Sequence, residues 1–265
     1  MTTAVHIIIV AHNSALELPI CIEHLALQTA PIQSLVIVDS GSENPSYLES
    51  LAHPSLVTVI KTKNIGFSQA NNTGVSALPD ESTGMIIFLN PDTFLPPTYI
   101  ESALEVMEAH PEGGIVSGKL LGFDPKVKRP TGKIDSTGVF RRWYGRWYDR
   151  GQGENDTFQF DAVETIPAVC GALMCCRREA LAPYGTNVFD PDFFLYKEDI
   201  ELSLRLRKKG WKLIFDPQLV GYHCRGWQDN RREMSYVLRL TAARNEVLLY
   251  RKHPSPYIVW ALLKF

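Results

Sequence analysis

Short apolar runs alternate with amphipathic segments over the first hundred residues, and this pattern constrains the fold more than any other feature of the chain. The runs are VHIIIV, LVIV, LVTVI and MIIFL. Their length and their content of β-branched residues are typical of buried strands. Strands separated by helices form a parallel sheet covered by those helices. We therefore predict an α/β fold with a mostly parallel central sheet flanked by helices.

Two helices are indicated by their start signals and apolar spacing. Ser14 and Glu17 have the spacing of a capping box, and apolar residues then recur on one helical face. A second helix is predicted to begin near Pro96 and Pro97, with an apolar stripe that ends before Pro111.

The second half of the chain has a less regular pattern. KVKRPTGKIDSTG and RRWYGRWYDRGQGEND are rich in turn-forming residues, so we predict loops there, while IPAVCGALMCCRR is apolar enough to be buried. Between Ile200 and Leu206 apolar residues alternate strictly, which favours a strand. The basic run that ends at Gly210 favours a helix C-terminus, and the pattern leaves both open. Beyond residue 228 the composition predicts helices.

Charge and cysteine content exclude several classes of protein. Lys and Arg number 27 against 29 acidic residues, so the net charge of −2 offers no general attraction to nucleic acid, and none is expected as a partner. The five cysteines have no Cys-x-x-Cys spacing, which disfavours a disulfide framework and a structural zinc site. The N-terminus lacks the pattern of a signal peptide, and no run reaches the ~20 apolar residues that span a bilayer. We expect a cytoplasmic protein.

Polar residues follow the ends of the predicted strands. They are Asn13, Asp39, Asn64 and Asp92. In an open α/β sheet the ligand crevice lies outside the carboxyl ends of the strands. These side chains therefore predict a single binding site.

Five motifs lie in a fixed order along the chain. They are AHNS after the first strand, VDSGS, KNIGFSQANNTG, FLNPDT and FLYKEDIELSLRLRKKGW, within about residues 4 to 225. This series resembles family 2 glycosyltransferases of the GT-A fold, and NIGF with ED-x-x-L-S-x-R looks most like the bacterial rhamnosyltransferase-type branch that builds cell-wall and O-antigen polysaccharides. The resemblance implies inverting transfer of a hexose from a nucleotide diphosphate-sugar to an acceptor, with Mn²⁺ or Mg²⁺ as cofactor.

FLNPDT corresponds to the family's Asp-x-Asp motif, in which a divalent cation meets the diphosphate through oxygen ligands. The resemblance makes Asp92 the metal ligand, with Asn90 in place of the first acid as a contact to the sugar or phosphate. It makes His223 a second metal ligand. The alternatives are a turn after a strand and a structural histidine. Arg225 and Arg244 are candidates for diphosphate binding, with a solvated helix face as the alternative.

VDSGS places Asp39 at a strand end, where the resemblance has it accept the N3–H of a uracil or thymine ring. A turn or helix cap is the alternative role. Ala11, His12 and Asn13 resemble the segment that lies along the base, and His12 either stacks on the base or is a surface residue.

KNIGFSQANNTG resembles a segment that contacts ribose and phosphate. Asn64, Gly66 and Asn71 are the residues that the resemblance selects. The alternative is a strand-to-helix connection, with Gly66 in the turn and Asn71 as a cap.

The Glu198–Asp199 pair resembles the family's acid pair, in which the aspartate is the general base that removes the acceptor proton. Glu198 would position the acceptor or Asp199. Acidic residues are also common in the first turn of a helix, and this is the alternative role.

The resemblance assigns residues 1–110 to nucleotide-sugar binding and residues 111–228 to acceptor binding and catalysis within the same domain. Residues 229–265 are predicted to be a helical tail that either docks on an anionic membrane, at the cytoplasmic face of the inner membrane, or packs on the body as a helix pair.

The expected partners are a dTDP-linked or UDP-linked donor, with dTDP-rhamnose favoured over a UDP-hexose, and a saccharide or lipid-linked acceptor. Because Asn90 replaces an acid, a non-catalytic nucleotide-sugar-binding partner subunit is the alternative function. Hydride transfer is disfavoured because no G-x-G-x-x-G follows the first strand. Nucleotidyl transfer is disfavoured because AHNSALEL is not rich in glycine and lysine.

Overall fold

The computed structural model describes residues 3–49, 51, 57–224 and 235–264, and its elements follow the predicted alternation in the first half of the chain. The strands are β1 (Val5–Ala11), β2 (Ser34–Ser40), β3 (Val57–Thr62), β4 (Met85–Leu89), β5 (Thr93–Phe94), β6 (Gly113–Asp124), β7 (Arg129–Ser136), β8 (Val139–Arg141), β9 (Trp147–Asp149), β10 (Glu164–Thr165), β11 (Leu173–Arg177) and β12 (Lys212–His223). The helices are α1 (Glu17–Ala26), α2 (Gly66–Ser76), α3 (Tyr99–Ala109), α4 (Arg178–Leu181), α5 (Glu198–Lys208), α6 (Tyr236–Lys252) and α7 (Ile258–Lys264).

A ten-stranded sheet runs through the described residues in the order β10-β12-β6-β11-β4-β1-β2-β3, with β5 paired to β12 and β7 to β6. β4, β1, β2 and β3 are parallel to one another, and β12 is parallel to β6. β11 runs antiparallel to both β4 and β6 and so joins the two parallel sets. The predicted α/β architecture is confirmed, and the four apolar runs form its first parallel set.

The central strand β1 is buried on both faces, which explains its unbroken apolar run. Ile7 and Ile9 belong to one hydrophobic cluster, and Ile8 and Val10 belong to another. Successive side chains of a strand point to opposite faces, so the two clusters are the two sides of the sheet. Helices α1 and α3 pack into the first cluster and α2 into the second.

The predicted capping box at Ser14 and Glu17 is wrong, although α1 begins at Glu17. Its N-cap residue, Leu16, makes no side-chain cap. The Ser14 hydroxyl instead accepts the N–H of His12 at 3.2 Å, and the Ser14 carbonyl accepts the N–H of Leu18 at 3.1 Å. Ser14 therefore closes the turn that follows β1.

Two segments that we predicted as loops contain strands. β7 lies in KVKRPTGKIDSTG and pairs with β6, while β8 and β9 form a hairpin around RRWYGRWY. The residues of β7 from Arg129 to Lys133 are exposed, so no apolar alternation marks this edge strand. Its hydrogen bonds to β6 define it.

The segment from Ile200 to Leu206 is helical, within α5. Ile200, Leu202 and Leu206 are buried, and so are the polar side chains of Glu201 and Ser203. Because the helix is buried around most of its circumference, its apolar residues need not follow the spacing of a one-sided helix.

The predicted helical tail is present as α6 and α7, and both pack on the body. Leu249, Tyr250 and Ala261 are buried in the first hydrophobic cluster, and the Tyr250 hydroxyl donates to the carbonyl of Gly145 between β8 and β9. Among the described residues, no helix is both long and apolar enough to cross a membrane.

All five cysteines are free thiols, and four of them are buried. Burial raises the pKa of the Cys175 thiol to about 12, with Tyr99 opposing the shift through a hydrogen bond. A thiol with such a pKa stays protonated at neutral pH and is a poor nucleophile. Cys175 is therefore a packing residue of the core rather than a reactive thiol.

Candidate active site

The carboxyl ends of β1 and β2 place two predicted positions side by side. In the parallel register Ala11 is the partner of Asp39, and both residues are buried. Asp39 Oδ1 accepts hydrogen bonds from the Tyr47 hydroxyl at 3.2 Å and from the Ser42 hydroxyl, and Oδ2 accepts the Ser42 N–H at 3.3 Å. A carboxylate has about four acceptor positions. These bonds orient Asp39 and leave Oδ2 able to accept a further donor.

The turn after β1 is held against the end of β2. His12 is exposed, and its Nδ1 lies 2.8 Å from the carbonyl oxygen of Ser40. Asn13 has a φ of 54°, and its N–H donates to the Ser42 hydroxyl at 2.7 Å. The Asn13 carbonyl oxygen Oδ1 accepts the N–H of Glu43 at 2.9 Å. His12 and Asn13 thus lie at the strand ends that we predicted would contact the base.

The connection from β3 to α2 contains the other predicted contacts to the nucleotide. Asn64 is exposed and accepts the N–H of Gly66 at 3.2 Å through Oδ1. Gly66 has a φ of 79°, and a Cβ there would lie 2.5 Å from the ring and the carbonyl of Phe194. Asn71 lies inside α2, where it is buried and donates to the carbonyl of Phe67 at 3.0 Å, so it does not cap the helix.

The close approach at Gly66 ties α2 to the second half of the chain. The N–H of Phe67, in the first turn of α2, donates to the carbonyl of Phe194 at 2.7 Å. One donor of this helix N-terminus is therefore used within the protein. Sequence reasoning found the tight turn but not this neighbour.

The two residues that the motifs indicated as metal ligands are neighbours. His223 is the last residue of β12. It pairs with Thr93 of β5, the residue that follows Asp92 in the sequence. His223 Nε2 lies 3.2 Å from Asp92 Oδ1, and the imidazole is buried while the carboxylate is partly exposed. A carboxylate and an imidazole therefore converge at the edge of the sheet.

A buried carboxylate that the sequence did not indicate orients this histidine. Asp135, on β7, has Oδ2 2.8 Å from His223 Nδ1. Burial lowers the pKa of His223, but the opposing effects of Asp92 and Asp135 are larger together and raise that pKa to about 9. A metal-binding histidine commonly donates its second ring N–H to a carboxylate, and Asp135 occupies that position.

The donor atoms suit a divalent cation held jointly by protein and diphosphate. Asp92 and His223 supply one oxygen and one nitrogen, and the described residues contain no group of three His, Cys, Asp or Glu that could hold a metal. Asn90 Oδ1 is buried and accepts no hydrogen bond from the described residues. The set fits Mn²⁺ better than Mg²⁺, because imidazole is a poor ligand for magnesium.

The predicted acid pair opens α5. Asp199 Oδ2 accepts the N–H of Gly171 at 3.0 Å, and Oδ1 accepts the N–H of Ile200 at 2.7 Å. Burial raises the pKa of Asp199, and both of these bonds oppose the shift. Burial and the charge of Asp199 raise the pKa of Glu198 to about 8, and Glu198 Oε2 has no hydrogen-bond partner among the described residues.

Backbone strain precedes the acid pair. Tyr196 has a φ of 73° and Lys197 has a φ of 77°, and neither is a glycine. A non-glycine residue in the left-handed region costs about 1–2 kcal/mol. Strain of this kind persists where surrounding contacts hold it, and it concentrates at functional sites.

One backbone segment links the metal side of the site to the acid pair. The N–H of Asn90 donates to the carbonyl of Ala172 at 2.9 Å, and the preceding residue, Gly171, donates to Asp199. Residues 171 and 172 thus connect the end of β4 to the start of α5. Main-chain groups next to the sheet therefore hold both parts of the candidate site.

Sequence reasoning missed several residues of this region. Asp149, at the end of β9, raises the pKa of Asp199 through its charge, and both Asp149 and Asp135 lie in segments that we predicted as loops. No strand signal therefore drew attention to them. Arg225 lies outside the described residues, and Arg244 is exposed on α6, as its alternative role requires.

Comparison with known proteins finds related sequences and a shared fold. The model of the family described as Glycosyl transferase family 2 matches residues 6–185, more than half of the chain. The N-acetylglucosaminyl-diphospho-decaprenol L-rhamnosyltransferase of Mycobacterium tuberculosis (strain ATCC 25618 / H37Rv) is 22% identical over 252 residues, which cover 89% of this chain and 81% of that protein.

Solved glycosyltransferases share the fold. GalNAc-T7 with UDP, GalNAc and Mn²⁺ has a TM-score of 0.68 at 17% identity over 96% of this chain, which spans only 52% of that structure. The mannosyltransferase PcManGT from Pyrobaculum calidifontis, in complex with GDP-Man and Mn²⁺, has a TM-score of 0.64 at 19% identity, covering 98% of this chain and 69% of that structure. The predicted GT-A fold is confirmed.

Proposed function

The chain is a glycosyltransferase that belongs to glycosyl transferase family 2, and we propose that it is an inverting, metal-dependent enzyme. One observation supports this proposal more than any other. A potential base, Asp199, and a potential metal ligand pair, Asp92 with His223, lie around one backbone segment. A single displacement at a sugar carbon uses a base for the acceptor proton and positive charge to stabilise the departing diphosphate, which a metal ion can supply.

In the proposed reaction Asp199 removes the acceptor proton. As the acceptor oxygen bonds to the anomeric carbon, its proton passes to Asp199, and the bond from that carbon to the diphosphate oxygen breaks. The electron pair of the broken bond leaves with the nucleotide diphosphate. Attack from the face opposite the leaving group inverts the anomeric centre. The N–H groups of Gly171 and Ile200 hold the Asp199 carboxylate in place for this step.

Asp92 and His223 would hold the metal ion. When bound, the metal would neutralise negative charge on the departing diphosphate. Asp135 holds the ring of His223 so that Nε2 is directed toward Asp92. Asn90 offers a neutral oxygen acceptor beside them, suited to a sugar hydroxyl.

The proposed donor is a pyrimidine nucleotide sugar, either dTDP-rhamnose or a UDP-hexose. Asp39 supports this choice because its carboxylate, oriented by Ser42 and Tyr47 at the end of β2, can accept the N3–H of uracil or thymine. The name of the mycobacterial relative favours rhamnose and a lipid-linked acceptor. GalNAc-T7 was solved with UDP and PcManGT with GDP-Man, so the fold accommodates either base class.

We further propose that the tail brings the enzyme to a lipid-linked acceptor at an anionic membrane on its cytoplasmic side. Val259, Trp260 and Leu263 on α7 are 59%, 50% and 76% exposed, and Trp143 in the β8–β9 turn is 81% exposed. The rings of Tyr144 and Trp260 lie 5.6 Å apart, so the turn and α7 form one surface. The exposed Arg142 directly precedes Trp143 in the sequence, and tryptophan beside basic residues is typical of membrane-interface binding. We call Trp143, Val259, Trp260 and Leu263 the interfacial surface.

The test of the proposed function is a transfer assay with purified protein, Mn²⁺, a panel of nucleotide sugars and a polyprenyl diphosphate-linked saccharide acceptor. Elongated acceptor, detected by mass spectrometry, with inverted anomeric configuration supports the proposal. Retained configuration would contradict the single displacement. Tight donor binding without any product would favour the alternative, a nucleotide-sugar-binding partner subunit, which the neutral Asn90 suggests.

A further inference from the structure

The amide of a residue near the C-terminus contacts the segment that precedes the acid pair. Asn245 lies on α6 and is buried. Its Nδ2 donates to the carbonyl of Leu195 at 2.8 Å and to the carbonyl of Tyr196 at 2.9 Å. One side chain thus satisfies two consecutive backbone acceptors.

These two carbonyls belong to the strained turn that leads into α5. Tyr196 and Lys197 both have positive φ, and the acid pair follows directly. The carbonyl of Lys197 already receives a helical hydrogen bond from the N–H of Glu201 at 2.9 Å. The left-handed turn therefore fixes where α5 begins and in which direction its first side chains leave the backbone.

Other contacts of α6 reach the same part of the chain. Lys252 Nζ lies 2.6 Å from carboxylate oxygens of Asp190 and Asp192, at the beginning of the segment that ends in the turn. His253, the residue after α6, has Nε2 3.2 Å from Oε1 of Glu201 in α5. Helix α6 therefore holds both the start and the end of residues 190–197. Asn245 is the residue of α6 whose side chain donates to the carbonyls of Leu195 and Tyr196.

We propose that Asn245 is a positioning residue for the general base. By holding the carbonyls of Leu195 and Tyr196, it fixes the left-handed turn and so the direction of the Asp199 carboxylate toward the acceptor. This inference rests on the proposed role of Asp199 and adds a function to α6 that is separate from membrane docking. Without the amide, the partly buried carbonyls of Leu195 and Tyr196 lose this donor, which weakens the hold of α6 on the turn.

The experiment compares Asn245→Ala with Tyr250→Phe in the full chain. Tyr250→Phe is the matched control because it removes another buried hydrogen bond of α6, to the carbonyl of Gly145. We measure melting temperature, kcat per folded molecule, the KM for the donor, and hydrogen exchange of residues 195–200. Asn245→Leu, which also lacks the donors but keeps more of the side-chain volume, is measured alongside in case the alanine variant does not fold.

We expect Asn245→Ala to lower kcat at least about tenfold, as misplacement of a base does, with an unchanged donor KM and faster exchange in residues 195–200. Tyr250→Phe should leave kcat and that exchange unchanged at a similar melting temperature. A kcat within twofold of wild type in folded Asn245→Ala or Asn245→Leu would overturn the proposal, as would unchanged exchange. If the wild-type protein has no transferase activity, the proposed function fails, and the exchange measurement still decides whether Asn245 holds the turn.

Discussion

The carboxylate of Asp199 accepts the backbone N–H of Gly171 at 3.0 Å, two residues before β11, the strand that pairs with β4. The side chain that we assign as the base is therefore held by the main chain of the sheet. A carboxylate held by backbone donors needs little reorganisation when it receives a proton, and it keeps its place when its charge is removed. Variants at Asp199 should consequently separate chemistry from binding.

Asp199→Asn should lower turnover about 10²-fold to 10⁴-fold, the usual cost of losing a general base. The amide oxygen can still accept the N–H of Gly171, so donor affinity should change little. The amide nitrogen cannot accept the N–H of Ile200, so the melting temperature should fall modestly while the variant stays folded. Turnover by product formation, donor affinity by calorimetry and melting temperature are measured on one preparation. Near-normal turnover in the folded variant would contradict the assignment, and Glu198 would be tested next.

Chelation should abolish transfer, and added Mn²⁺ should restore it. Asp92→Ala should weaken donor binding in the presence of Mn²⁺ and leave donor binding without metal unchanged, since the lost ligand acts through the metal. His223→Ala should also weaken donor binding in the presence of Mn²⁺ and leave donor binding without metal unchanged. Donor affinity is measured with and without Mn²⁺ for each variant. Full activity of Asp92→Ala after exhaustive chelation would rule out the metal model.

UDP and dTDP should stabilise the protein more than ADP and GDP at equal concentration, because Asp39 can accept the N3–H of a pyrimidine. Thermal shift with the four nucleotides and Mn²⁺ measures the difference. Asp39→Ala should remove the preference, and its melting temperature without nucleotide is the control for lost structure. Equal shifts with all four nucleotides would show that Asp39 does not read the base.

The stability of the protein should fall as pH rises from about 4.5 to about 8. An ordinary glutamate ionises near 4.5, whereas burial and Asp199 raise the pKa of Glu198 to about 8. In this window the native state holds a proton that the unfolded state has released, so each pH unit lowers the free energy of unfolding by up to about 1.4 kcal/mol.

Glu198→Gln should reduce this dependence, while His223, whose pKa is raised to about 9, keeps its share above about pH 6.5. Glu105→Gln, at an exposed glutamate of α3, is the matched control. Denaturant midpoints at pH 5 and pH 8 decide the question. A pH dependence that persists unchanged in Glu198→Gln would show that another group carries it.

Removal of the residues after 253 should abolish sedimentation with phosphatidylglycerol vesicles. The truncation deletes α7, which carries three of the four residues of the interfacial surface, and it keeps α6 with Asn245. Val127→Ser, at an exposed apolar residue between β6 and β7 and outside the interfacial surface, should sediment as the wild-type protein does. If the truncated protein still sediments with the vesicles, the membrane-docking role of α7 is wrong, and packing on the body remains as its role.

The fold and one half of the site could be predicted because they depend on local pattern. Each apolar run became a strand, and the rule that ligands meet the carboxyl ends of strands placed Asp39 and Asp92 at one edge. The structure also brings His223 to Asp92, as the motifs implied. The roles of these residues in binding and catalysis stay predictions.

The remaining parts of the site depend on contacts between distant segments. Asp135 is a buried residue of β7, an edge strand whose first five residues are exposed. No apolar alternation in the sequence therefore indicates that this strand exists. The turn at Tyr196 and Lys197 contains neither glycine nor asparagine, the residues that usually indicate a left-handed backbone. Asn245 is 49 residues from the carbonyl of Tyr196 that it contacts. Pairing and long-range hydrogen bonds of this kind leave no local signal.

The position of β11 has a consequence for any attempt to divide this protein. β11 lies between β4 and β6, so residues 1–110 on their own would present β4 as a bare, apolar sheet edge. Such an edge invites pairing with another chain. A split reporter divided between β4 and β11, or residues 1–110 expressed separately, would therefore tend to aggregate.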